Sequence, residues 1–305
     1  MSSINTKITL GPPGSQWIYD RPSRTYDLTR GQHTSPTALR VAVAQGQGPP
    51  GTSILLSPPA TVLVVVDMQN FFLHPSCRAH PAGLAAVQPL LRTIARCREV
   101  GVQVVWLNWG LTEEDLEGMP AGVLRGFART VMVAAAAAAD GGGGGEEEQE
   151  KQEKQHQPPA AAGLGVDLGE GKGRCLVAGE WNSALYGPLQ DVVREGDVHC
   201  AKNRMSGLWC ERQPLWAYLA RNRKGDDDDD DEKGGKKTTL LFAGVNTDQC
   251  VLGTLTDAYN AGWDCVMVED CCATTTQGAK EVCLYNVANN YGFVIDSKTF
   301  TEAVN

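Results

Sequence analysis

No apolar run in the 305-residue chain reaches the roughly 18 residues that a membrane span requires. The first ten residues, MSSINTKITL, lack the basic head, apolar stretch and small-residue cleavage site of a secretory signal. The expectation is a soluble, cytoplasmic protein with no membrane partner. Lys and Arg do not gather into a patch, which removes the electrostatic footprint of a nucleic-acid binder. The net charge of −9 is mostly local, because residues 140–158 contribute −4 and residues 224–237 contribute −3. What remains is close to neutral.

Cys-x-x-Cys spacing is also absent, and with it the zinc ribbon and the thioredoxin-type redox motif. Cysteine itself is plentiful, with ten at irregular spacings: Cys77, Cys97, Cys175, Cys200, Cys210, Cys250, Cys265, Cys271, Cys272 and Cys283. In a long chain without a secretory signal these read as reduced thiols, one of them a candidate nucleophile. Histidine is scarce, at five residues. His74, Cys77 and His80 have ligand-capable spacing in a Pro-bounded loop, yet no fourth ligand is evident, so the loop reads as plain and no metal is expected. The stretch GQGPPGTS over Gly46–Ser53 imitates a phosphate loop but lacks its lysine and precedes the strand it should follow. The six consecutive aspartates from Asp226 lack the intervening ligands and turn glycine of a calcium loop.

The composition, 42% hydrophobic and 21% charged, is that of a globular protein. Residues 134–162 pass from alanines through glycines into Glu, Gln and Lys, and residues 224–237 are an acidic run. Neither stretch has apolar surface to offset its ordering entropy, so both read as low-complexity insertions in surface loops. Residues 1–60, rich in Gly, Pro, Ser and Thr, read as an N-terminal arm, and 61–305 as one domain.

Within that domain short apolar runs alternate with helical patterns. Thr61 to Val66 is apolar on both faces, as a strand covered on both sides should be. Further strands are expected over Val102–Asn108, Asp197–Ala201, Thr238–Val245, Asp264–Glu269 and Gly292–Asp296, with helical periodicity between several of them. This cadence predicts a three-layer α/β/α sandwich around a six-stranded, mainly parallel, Rossmann-like sheet. Its site should lie beyond the carboxyl ends of the strands. Three reactive residues fall there: Asp67 after the first strand, Lys202 after the third and Cys250 at the start of the helix after the fourth. A helix N-terminus and a nearby lysine both favour a thiolate, and a carboxylate can accept its proton.

Three segments carry a resemblance to a known family: VVVDMQN over Val64–Asn70, AKNR over Ala201–Arg204, and GVNTDQCV over Gly244–Val251 with the following Thr254 to Ala258. Together they resemble the isochorismatase-like cysteine hydrolases, which include nicotinamidases, N-carbamoylsarcosine amidase, biuret hydrolase and ureidoacrylate amidohydrolases. The resemblance runs from about Thr61 to Ser297, interrupted by the two insertions. It implies an Asp-Lys-Cys triad at Asp67, Lys202 and Cys250. It also implies a cis peptide between Val245 and Asn246, and an oxyanion hole from the N–H groups of Asn246 and Cys250.

The implied activity is cofactor-independent cleavage of a C–N bond in a small amide or ureido substrate through a thioester. The relatives imply a homo-oligomer, dimer or tetramer. Cys250 argues against the vinyl ether hydrolysis of true isochorismatases, which lack that thiol. Nicotinamidases place a metal-binding Asp-x-His after the second strand, where this chain has Trp106-Leu-Asn-Trp-Gly110. Candidate pocket residues are Asn70, Phe72, Trp109, Trp181, Asn182, Asn203, Arg204 and Trp209. The alternative is a catalytically silent protein of the same fold that binds a small molecule or a protein partner.

Overall fold

The computed structural model describes residues 6–31, 38–44, 47–128, 163–221 and 236–304. The insertion read at 134–162 and most of that at 224–237 lie outside these residues.

Among the described residues eleven strands form two sheets. The larger contains β6 (Thr61–Val66), β7 (Gln103–Trp109), β8 (Val198–Lys202), β9 (Thr239–Val245), β10 (Asp264–Ala273) and β11 (Gly292–Ile295), in the order β11-β10-β9-β6-β7-β8. Every neighbouring pair is parallel. Counted among the six, the order is 3-2-1-4-5-6, and it reverses between β6 and β9, where a doubly wound sheet opens a crevice at its carboxyl edge. Every residue of β6 and of β9 is buried, which explains why both read as unbroken apolar runs rather than alternating ones. The two strands touch closely at the crevice: a Cβ on Gly244 would lie 2.0 Å from the carbonyl oxygen of Val66, at φ +123°. Only glycine lets β9 meet β6 there.

Helix Pro81–Val100 carries the crossover from β6 to β7 and buries Ala86, Val87, Leu90, Ile94 and Cys97. Gly101 ends it in the left-handed conformation. Helix Leu252–Asn260 follows β9, and helix Ala279–Asn286 follows β10. Five of the six strands differ from their expected bounds, most by a single residue, and two of the differences matter here. Strand β10 continues past Glu269 to Ala273 after a register shift between Met267 and Cys272, so Cys271 and Cys272 lie within a buried strand rather than in a turn. Strand β7 runs through Trp109, making that residue part of the sheet and not of the loop beyond.

The segment read from composition as an arm carries the second sheet: β1 (Lys7–Leu10), β2 (Trp17–Asp20), β3 (Thr25–Asp27), β4 (Leu39–Ala42) and β5 (Ser53–Leu56), in the order β1-β2-β3-β5-β4. It is fastened to the edge of the larger sheet. Asp264 accepts hydrogen bonds from Trp17 Nε1 at 2.9 Å and from the Arg30 guanidinium at 2.6 Å. Gln47 pairs with both backbone groups of Val294, each at 2.7 Å, and Trp17 and Tyr26 pack on Phe293. Edge strand β11 is thereby covered. Turn residues mask strands this short, so composition alone gave no sign of the sheet in this segment.

The buried thiols give the fold a pH dependence. Burial pushes Cys175, Cys200 and Cys272 up to about 12, while unfolded thiols ionise near 9. Between those values the unfolded chain releases protons that the folded chain keeps, so stability is fully present below pH about 9 and is lost as pH rises toward 12, by about 1.4 kcal/mol per pH unit for each thiol. Tm under reducing conditions should therefore fall steeply above pH about 9, and replacing Cys200 with Ala should flatten that fall. An equal slope in the variant would contradict the assignment.

Candidate active site

Three elements deliver three side chains to one point at the crevice. Asp67 directly follows β6 with φ +52°, a left-handed turn that Asp tolerates better than most residues, and its N–H is held by the Leu107 carbonyl at 2.9 Å. Lys202 is the last residue of β8. Cys250 lies in the turn Thr247–Val251, which opens helix Leu252–Asn260. Lys202 Nζ is 2.9 Å from Asp67 Oδ2 and donates to Cys250 Sγ at 3.4 Å. Both charged side chains are fully buried. The ammonium also donates to the Arg204 carbonyl at 3.2 Å and lies 4.0 Å from the centre of the Trp109 ring.

Burial dominates the protonation of this cluster. It pushes the Cys250 thiol up to about 12, assisted by the charge of Asp67 and opposed by Lys202 and the Trp109 indole. Burial likewise raises the Asp67 carboxyl, with Lys202 and Cys250 opposing. The helix N-terminus and the lysine, which favour a thiolate when read from sequence, are outweighed by desolvation. Both shifts favour the protonated forms of the thiol and the carboxyl, and the Lys202 ammonium is the contact that opposes them.

The surrounding residues divide by function in the fold. Asn70 donates to the Trp181 carbonyl at 2.9 Å, and Phe72 is buried edge-on against Phe71. Asn182, fully buried, accepts from Leu176 N–H at 2.8 Å and donates to the Lys172 and Arg174 carbonyls. Its amide is committed to the loop backbone, which corrects its assignment as a pocket contact. Asn203, Arg204 and Trp209 form a linked set: Trp209 Nε1 donates to Asn203 Oδ1 at 3.1 Å, Asn203 donates to Asp115 at 2.5 Å, and the Arg204 guanidinium lies over the Trp209 ring. Trp181 and Trp209 are exposed, whereas Trp109 is buried.

Four residues have roles at the site that the sequence reading did not assign. Gln69 donates to the Trp109 carbonyl at 2.7 Å and accepts from its N–H at 3.0 Å, locking the Asp67 loop to the end of β7. Thr254 donates to the Cys250 carbonyl at 2.7 Å and accepts from Gly207 N–H. Met205 Sδ lies 3.4 Å from Cys250 Sγ, and Met205 is 44% exposed where Cys250 is 5% exposed. His80, read as a loop residue or a weak ligand candidate, is buried with its Nε2 2.8 Å from Asn246 Oδ1. Gln69 and Thr254 sit inside recognised segments, whereas the contacts of Met205 and His80 join distant parts of the chain and have no local signal. A cleft of about 780 Å³ with Arg98, Gln103 and Lys237 in its wall lies at the opposite, amino-terminal end of β7 and touches none of these groups.

A doubly wound sheet with buried Asp67, Lys202 and Cys250 gathered at its carboxyl edge defines the α/β class of the protein. The family model described as Isochorismatase domain matches residues 148–299. The chain belongs to the isochorismatase-like family of hydrolases. Solved structures share the fold at low identity. A cysteine hydrolase from Pseudomonas syringae pv. phaseolicola 1448A is 17% identical, covering 81% of this chain and 92% of that one, with TM-score 0.51. An isochorismatase family protein from Desulfovibrio vulgaris subsp. vulgaris str. Hildenborough is 19% identical, covering 78% and 95%, with TM-score 0.53. A nicotinamidase from Bacillus subtilis is 17% identical, covering 78% and 99%, with TM-score 0.50.

Because the lysine neutralises a buried carboxylate, Lys202→Met should cost about 3–5 kcal/mol in urea unfolding, and Asp67→Asn combined with Lys202→Met should cost markedly less than the two single changes together. Strict additivity would show that the charges do not depend on each other.

Proposed function

We propose that this protein is a cysteine hydrolase that cleaves the C–N bond of a small amide or ureido compound through a thioester. The observation that carries the reading is the buried cluster in which one ammonium lies 2.9 Å from a carboxylate and 3.4 Å from a thiol. Asp67 takes the thiol proton as Cys250 Sγ attacks the carbonyl carbon. The N–H groups of Asn246 and Cys250 receive the developing oxyanion, as the family resemblance implies. The C–N bond breaks, and the proton from Asp67 leaves with the ammonia or amine. Water, deprotonated by Asp67, then attacks the thioester, and its collapse returns the thiol and releases the carboxylic or carbamic acid.

Lys202 stabilises first the carboxylate, then the thiolate. The Val245–Asn246 peptide is cis in the structure. His80 has both ring nitrogens engaged by protein partners, and His74 pairs with Ser76, so the reaction as written draws on the three buried side chains and two backbone donors alone.

The test is ammonia release from a panel of small amides and ureides. Cys250→Ala should abolish turnover by several orders of magnitude while leaving Tm within about 5 °C. Asp67→Asn should be nearly as damaging and should prevent the Cys250 acyl adduct that intact-mass measurement detects with a slow substrate. Turnover by Cys250→Ala within tenfold of the unaltered protein would refute the nucleophile. Binding of a panel compound without any turnover would favour the silent alternative.

A further inference from the structure

His80 lies thirteen residues after Asp67 in sequence and is 3% exposed. Its ring bridges two elements that do not otherwise meet through it. Nδ1 accepts the N–H of Gly83 at 2.9 Å, capping helix Pro81–Val100, and Nε2 lies 2.8 Å from Asn246 Oδ1. The cap settles the tautomer. A nitrogen that accepts an N–H must offer a lone pair, so the proton of the neutral ring is on Nε2, where it donates to Asn246. Gly83 makes the approach possible, since a Cβ there would lie 2.9 Å from Nδ1 and 2.7 Å from a Leu73 methyl.

Asn246 is held from its other side as well. Its carbonyl accepts the N–H groups of Gln249 and Val251 at 3.0 and 3.2 Å, and these residues flank Cys250. Its side-chain amide faces Gln249 Oε1 at 3.4 Å. The residue that supplies one backbone donor in the proposed oxyanion hole is thus gripped between the nucleophile's turn and an imidazole anchored on a twenty-residue helix.

We propose that His80 is a positioning residue that fixes Asn246, and through it the oxyanion donors, relative to the Cys250 thiol. The inference rests on the hydrolase reading above. It assigns His80 no contact with the reacting atoms. Its action is geometric: the imidazole withholds rotation from Asn246, so that the backbone N–H is aimed before charge develops.

The test uses p-nitrophenyl acetate, which needs no knowledge of the natural substrate. Cys250 loses its proton to Asp67, the S–C bond forms, the C–O bond breaks and p-nitrophenolate leaves, giving a burst of absorbance and an acetyl thioester on Cys250. His80→Met, which fills the space without a donor, should lower the maximal acetylation rate about 30-fold and move the half-saturating concentration less than about threefold. His80→Gln, which restores a donor, should recover most of the rate. His80→Met combined with Asn246→Ala should be no slower than Asn246→Ala alone, because the two act through one contact.

Acetylation of Cys250 at the unaltered rate in His80→Met would overturn the inference and leave the hydrolase reading intact, as would fully multiplicative losses in the double variant. If the unaltered protein formed no Cys250 adduct beyond the Cys250→Ala background, the hydrolase reading and this inference would fall together. Should His80→Met fail to fold, the decision passes to His80→Gln against Asn246→Ala: a His80→Gln rate as low as that of Asn246→Ala overturns the proposal, and a rate near that of the unaltered protein supports it.

Discussion

The contact between Lys202 and Asp67 is the constraint on which the site depends. Two opposite charges are fully buried at 2.9 Å, and removing either from water is costly unless the partner is fixed in place. The sheet supplies that fixation. Asp67 follows β6 and Lys202 ends β8, two strands apart in one parallel sheet, with β7 between them and Trp109 at its end. Gln69 pairs with both backbone groups of Trp109, so the loop bearing the carboxylate is bonded to the strand that separates it from the lysine. An apolar pair of similar size would serve stability as well, so the charges are better explained by chemistry than by folding.

How much of this was readable beforehand follows from the range of each interaction. The six parallel strands announce themselves because β6 and β9 are buried on both faces and carry no polar alternation. That Asp67, Lys202 and Cys250 lie close together could be anticipated because strand ends in a parallel sheet converge by topology, so their meeting needs no knowledge of side-chain geometry. The five short N-terminal strands were not found. They lie among turn residues, and what orders them is contact with Asp264, Phe293 and Val294, more than 230 residues away in sequence. Asn182 shows the opposite error: an asparagine near a site invites a functional reading, but a fully buried amide must satisfy its own polar atoms, and the nearest partners were the backbone groups of residues 172–176.

The same reasoning separates His80 from the residues around it. Spacing alone placed it with His74 and Cys77 as a ligand candidate, because sequence shows which atoms are available and not which are already taken. In the fold its two nitrogens are taken, one by a helix cap and one by Asn246. His74 pairs with Ser76 on an exposed loop. Histidines six residues apart thus occupy environments that no periodicity would distinguish.

Protonation at the cluster explains why three ionisable groups are held together where two would seem enough. With the thiol pushed up to about 12 by burial, a standing thiolate would be a second anion beside Asp67 in a medium that already penalises one. In the proposed mechanism that state never forms. Before proton transfer the cluster holds a carboxylate, an ammonium and a neutral thiol; afterwards it holds a neutral carboxyl, an ammonium and a thiolate. The net charge is zero in both, and the ammonium, at 2.9 Å from one anion site and 3.4 Å from the other, is placed to serve each in turn. Desolvation disfavours each anion, but the transfer exchanges one buried anion for another beside the same cation, so most of that penalty cancels between the two states. What remains is the difference in intrinsic acidity between a carboxylic acid and a thiol, which bond formation to the substrate carbon and donors at the oxyanion must overcome. A raised thiol pKa is therefore compatible with a nucleophile here: the sulfur is uncovered only when an acyl carbon is present to take its electrons.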